Sequence, residues 1–74
     1  MRPLPAVNFR QVKRALERLG FEEVRSAGSH FAFRKAGVGT LIVPYRSSGS
    51  IPKGTVRHIL HRAHLTDQEF IAAL

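Results

Sequence analysis

The chain has 74 residues, room for one small domain spanning 1–74 and not for two. It holds no cysteine, which excludes a disulfide scaffold, a thiolate zinc site and a thiol nucleophile. Twelve Lys and Arg against five Asp and Glu leave a formal net charge of +7, an excess that points first to nucleic acid, then to an acidic protein, then to an anionic membrane surface.

Residues 1–7 carry two of the four prolines and few packing signals, and read as an irregular lead-in. Asn8 is a good N-cap. Phe9, Val12, Leu16 and Leu19 then recur at helical spacing with Ala15 beside them, and Gly20 supplies the stop, so a helix is expected over about 9–19. Arg10, Lys13, Arg14, Glu17 and Arg18 occupy its other faces, either as a plain solvated surface or as a polyanion contact. Phe21 to Arg25 reads as a first short strand, with Ser26-Ala27-Gly28 as the turn into a second over about 29–35. The two glycines of Ala36-Gly37-Val38-Gly39 suit a hairpin loop. Thr40 to Val43 is a third strand, ended or edged by Pro44. Three short strands joined by tight turns imply an antiparallel meander, whose apolar face the flanking helices cover. Tyr45 to Ser50 is a polar loop in which the serines and Arg46 can approach phosphate. Pro52 opens a second helix over about 52–63, with Val56, Ile59, Leu60 and Ala63 on one side and Arg57, His58, His61 and Arg62 outward. Gly54 weakens its first turn by ~1 kcal/mol relative to alanine, yet lets the backbone come close to a ligand. Thr66-Asp67-Gln68-Glu69 has the form of a capping box opening a short C-terminal helix over 66–74, which folds back on the core or meets a partner. The expected fold is α+β, in the order α-β-β-β-α with a short extra helix.

His30 heads the second strand. Side chains alternate along a strand, so Ser29, Phe31 and Phe33 share one face, and His30, Ala32 and Arg34 the other. Two phenylalanines ask for a core. The opposite face then offers an imidazole, a small residue that leaves room, and a cation. The plain alternative is a polar histidine on a solvated strand.

Three chemistries compete for these residues. His58, His61 and His64 are three apart, but no carboxylate or cysteine stands nearby to complete a metal shell. Ser29 and His30, as strand neighbours, point apart and lack a third group to orient the imidazole, which argues against serine hydrolysis. Cleavage of RNA asks for less. The 2′-hydroxyl is the nucleophile, so the protein supplies a proton acceptor, a proton donor and positive charge around the phosphate. Histidine exchanges protons near neutral pH, and arginine and lysine supply the charge. No metal or other cofactor enters that parts list.

The order of motifs is familiar. A basic first helix precedes Leu19-Gly20-Phe21, then Gly28-Ser29-His30, Val43-Pro44, and Lys53-Gly54-Thr55 opening a helix that contains Ile59-Leu60. Over residues 8 to 65 this resembles the HicA family of toxins from bacterial and archaeal toxin–antitoxin modules. The resemblance implies a fold like the double-stranded-RNA-binding domain and a ribonuclease that acts on mRNA and inhibits translation. It implies that His30 is the catalytic residue, that Gly28 and Ser29 shape its site, and that Lys53 and Gly54 meet phosphate. It also implies a HicB-like antitoxin as partner, with operator DNA contacted only through the toxin–antitoxin complex. Arg34, Arg46 and Lys53 are the expected phosphate contacts, from their predicted positions around the His30 face. Many members carry a second histidine soon after Val-Pro, where this chain has Tyr45-Arg46-Ser47. No apolar run approaches the ~20 residues needed to span a membrane, and the start lacks the apolar core of a signal peptide, so a cytoplasmic protein without a membrane partner is expected. The competing readings are an RNA-binding module without catalysis, and a domain whose basic face takes an acidic protein.

Overall fold

Asn8 opens the first helix, α1 (Phe9–Arg18), through a reciprocal pair of bonds. Its side chain accepts from the Gln11 N–H at 2.8 Å, and the Gln11 side chain accepts from the Asn8 N–H at 2.9 Å. Two of the amides a helix start leaves orphaned are thereby satisfied. Phe9, Val12, Ala15 and Leu16 form the buried stripe. Gly20, at φ +96°, takes the left-handed conformation that lets Gly20 N–H reach Glu17 O and Phe21 N–H reach Leu16 O. The computed structural model describes residues 4–74. After α1 it places β1 (Glu22–Ala27), β2 (His30–Lys35), β3 (Gly39–Pro44), α2 (Lys53–Ala63) and α3 (Asp67–Ala73).

The sheet is antiparallel in the order β1-β2-β3. Its first turn lies later than the expected Ser26–Gly28. Ala27 still pairs with His30, so the connection is the two residues Gly28-Ser29. Gly28 sits at φ +60° and Ser29 does not share that sign, the signature of a type II′ hairpin turn with glycine first. That turn sets the register and puts His30 in the first rung of the ladder.

Phe31 lies opposite Val43, and Phe33 opposite Leu41. Phe33, Leu41 and Val43 are buried on the face that meets the helices. β1 departs from simple alternation. Glu23 pairs with Phe33 and Arg25 with Ala32, leaving Val24 as an extra residue in a bulge. The expected strand over Phe21–Arg25 therefore needs correcting at both ends. Phe21 is buried ahead of the strand, whereas Val24 is 52 % exposed. The bulge also reverses the side on which the next residue emerges. Glu23 shares the helix side, where its carboxylate meets Lys13 at 3.2 Å, and Arg25 shares the open side with Ala32.

Over residues 4–7 the lead-in is irregular, as expected, but it carries core residues. Residues 1–3 of it lie outside the described residues. Leu4 and Val7 are buried, as is Ile51 just before α2. Val7 O accepts from the Ile51 N–H at 2.8 Å, which joins the two irregular segments. Burying each of these aliphatic side chains contributes about 1.5–3 kcal/mol, a substantial addition to so small a core.

α2 presents Val56, Ile59, Leu60 and Ala63 to that core. It ends with His64 in the left-handed region at φ 57°. α3 begins with the Thr66–Glu69 capping box: Thr66 Oγ1 accepts from the Glu69 N–H at 3.1 Å, and Glu69 Oε1 accepts from the Thr66 N–H at 2.9 Å. Of the two expected fates for this helix, the structure shows packing on the core. Phe70 is wholly buried, and Arg18 Nη1 donates to Ala73 O at 3.0 Å. Among the described residues no helix is long and apolar enough to cross a membrane.

Candidate functional site

The side of the sheet away from the helices is laid out by the pairing. Ala27, His30 and Pro44 form one cross-strand row. Arg25, Ala32 and Ile42 form the next, and Glu22, Arg34 and Thr40 the third. His30 is exposed, between a methyl group and a proline ring. Among the described residues no side chain hydrogen-bonds to it, so its imidazole is open to a ligand. Arg25 lies diagonally across from it, a relation that places side chains about 7–8 Å apart. Arg34 is four residues along the same strand, about 13 Å away at ~3.3 Å per residue. Arg25 is thus the nearer cation of the two by ladder position. Sequence alternation hides it, because only the bulge at Val24 turns Arg25 to this face.

Ser29 contributes its backbone. Its carbonyl accepts from the Tyr45 N–H at 2.6 Å, which continues the β2–β3 ladder past Pro44, a residue with no N–H to give. Pro44 is tolerated because β3 is an edge strand. The hairpin that carries His30 is therefore tied to the start of the 45–50 segment.

That segment and α1 enclose an open cleft of about 830 Å³. Arg46 lines it, along with Arg10, Lys13 and Arg14 of α1, the rings of Phe9, Phe31 and Tyr45, and Ser47, Ser48 and Ser50. Among the described residues Glu17 is the one carboxylate in its wall. His30, Arg34 and Lys53 do not line this cleft. Arg34 shares the open sheet face with His30, Arg46 faces the helix side of the same sheet end, and Lys53 stands exposed at the start of α2. Gly54 follows it, and a side-chain carbon placed there would meet nothing within 4 Å. The space beside this backbone is open to solvent or ligand.

Other charged groups are occupied in holding the fold. Lys35 Nζ donates to Leu19 O at 2.9 Å and lies 5.7 Å from the centre of the Phe21 ring. Arg57 pairs with Asp67 at 3.2 Å. Arg10, Arg14, Arg25, Arg34, Arg46 and Lys53 make no ion pair among the described residues. Their charge is available at the surface.

A search of curated proteins finds no match to the chain. The family model described as HicA toxin of bacterial toxin–antitoxin matches residues 9–65, from the first residue of α1 to just beyond α2. With that match over most of its length, and with its helix–three strands–helix order, the chain belongs to the HicA family of toxins, a membership that implies a cognate antitoxin partner.

Proposed function

We propose that this toxin is a metal-independent endoribonuclease that cleaves mRNA through His30 and thereby inhibits translation. The observation that carries this reading is the open imidazole at the head of β2, on a sheet face it shares with Arg25 and Arg34. The 2′-oxygen of the RNA attacks the adjacent phosphorus as the bond to the 5′-oxygen breaks. His30 moves one proton in this exchange, taking it from the 2′-hydroxyl as base or giving it to the leaving oxygen as acid. Water serves the other transfer, since Tyr45-Arg46-Ser47 stands where many relatives carry a second histidine. The products are a 2′,3′-cyclic phosphate and a 5′-hydroxyl. Arg25 offsets the charge that gathers on the phosphate oxygens, and Arg34, Arg46, Lys53 and Gly54 hold phosphates and flanking parts of the chain. Gly28 and Ser29 set the turn that aims the imidazole.

The reading places the toxin in the cytoplasm, where its transcripts are. A HicB-like antitoxin neutralises it, and operator DNA is reached only through that complex. The test is tightly controlled expression of wild type and His30→Ala. Wild type should arrest growth and leave fragments ending in cyclic phosphate. The variant should fold, by circular dichroism, and lose cleavage by at least about 100-fold, the usual scale of general acid–base catalysis. RNA loss that persists in the folded variant overturns the assignment. Co-expression of a neighbouring HicB-like reading frame should restore growth.

A further inference from the structure

We infer that the cleft between α1 and the 45–50 segment is a nucleotide subsite, in which the Tyr45 ring stacks on an unpaired base of the bound RNA. This rests on the ribonuclease reading and names a residue that would select the substrate.

Tyr45 is 44 % exposed, yet its ring is held from behind. Its centroid lies 5.0 Å from that of Phe9, at a 74° edge-on angle, and 5.8 Å from that of Phe31. Phe9 and Phe31 themselves pack at 4.9 Å. The backbone is fixed too, by the bond from Tyr45 N–H to Ser29 O. A large aromatic surface pre-set in this way loses little freedom when a flat ligand lies against it. Around it stand Arg10, Arg14 and Arg46, which make no ion pair among the described residues, and Lys13, which shares its charge with Glu23. Single-stranded nucleic acid is bound by this combination, a cationic groove for the phosphates and an aromatic ring for a base. An acidic peptide would use the cations and leave the ring idle.

The location fits a continuous substrate path. Pro44 is paired with His30, and Tyr45 is the next residue, emerging on the opposite side of the sheet. A strand of RNA passing over this end of the sheet would set a phosphate near His30 and a neighbouring base against Tyr45. Paired bases cannot splay to reach the ring, so the subsite favours unpaired RNA.

The protein carries its own reporter. It has one tyrosine and no tryptophan, so emission excited at wavelengths beyond phenylalanine absorption comes from Tyr45 alone. Intact wild type titrated with a six-nucleotide, fully 2′-O-methylated RNA, which cannot be cleaved, should show saturable tyrosine quenching. A fluorescently labelled copy of that RNA should bind Tyr45→Ala about 5- to 150-fold more weakly, the range that follows from stacking of ~1–3 kcal/mol per base, and Tyr45→Phe nearly as well as wild type. Arg14→Gln should lower the salt dependence of binding instead. The RNA binding without quenching, or binding Tyr45→Phe as weakly as Tyr45→Ala, overturns the inference. So does a six-residue glutamate peptide that quenches more strongly than the RNA. Cleavage that needs His30 and ignores Tyr45 removes the subsite alone. Quenching by the methylated RNA, with no cleavage of the same sequence carrying free 2′-hydroxyls, removes the nuclease and leaves the subsite standing.

Discussion

Arg25 reaches the His30 face because one residue, Val24, has no partner across the strand. Strict alternation along β1 would place Arg25 beside Glu23, on the helix side. The cation nearest to His30 by ladder position was therefore illegible in the sequence, whereas His30 itself was legible from its place after a turn glycine. Arg34 followed from simple alternation within β2, which runs without a bulge. Replacing Arg25 with glutamine should lower RNA cleavage by about 10²-fold, on the scale of one lost charge-stabilising donor. The melting temperature should barely move, because Arg25 is exposed and makes no ion pair among the described residues. Steady-state cleavage of a fluorogenic RNA, read beside a thermal melt, checks both halves. Unchanged cleavage would remove Arg25 from the site.

The helices were the most legible elements, since their signals are local. The 3.6-residue spacing of Phe9, Val12 and Leu16, the Asn8 cap and the Thr66–Glu69 capping box each lie within a few residues of one another. Leu4, Val7 and Ile51 gave no such signal. They are single apolar residues in irregular backbone, and only the chain's return past Val7 buries them. The cap of α3 carries a pH dependence. The Glu69 carboxyl is held below its usual value, first by the Thr66 backbone N–H and then by the Thr66 side chain; burial opposes the shift, and the Lys35 charge adds the least to it. A carboxyl depressed in the folded state stabilises the fold above its unfolded value, near 4.5. That contribution fades as pH falls through the lower, folded value. Thermal melts from about pH 6 to about pH 3 should show a loss of stability that is shallower in Glu69→Gln. Equal slopes for the two proteins would show that the cap is not the titrating element.

Among the described residues one apolar core takes in side chains from Leu4 to Ala73, α3 included, although α3 lies beyond the family match at residues 9–65. Phe70 is wholly buried and should behave as a central core residue. Phe70→Ala should cost about 3–5 kcal/mol, against roughly 4–11 kcal/mol for a domain of this length. Urea unfolding should therefore find a much lower midpoint for the variant, with no folded state left if the wild type lies at the low end of that range, and a loss below about 1 kcal/mol would show that α3 is dispensable. The carboxylates also explain the surface. Glu23 and Asp67 are in ion pairs and Glu69 is in a cap, so three of the five acidic groups serve internal bonds and the cations dominate outside.

The irregularity at Val24 has one more effect. β1 is the outermost strand on its side, and all six of its residues are exposed. A straight strand there would offer an unbroken row of amides and carbonyls for a second copy to zip onto. The misaligned residue interrupts that row midway, with like-charged Glu22 and Glu23 just before it, and such interruptions are a common guard against self-association. The same one-residue slip that turns Arg25 toward His30 thus helps to keep copies of the toxin from adhering to one another.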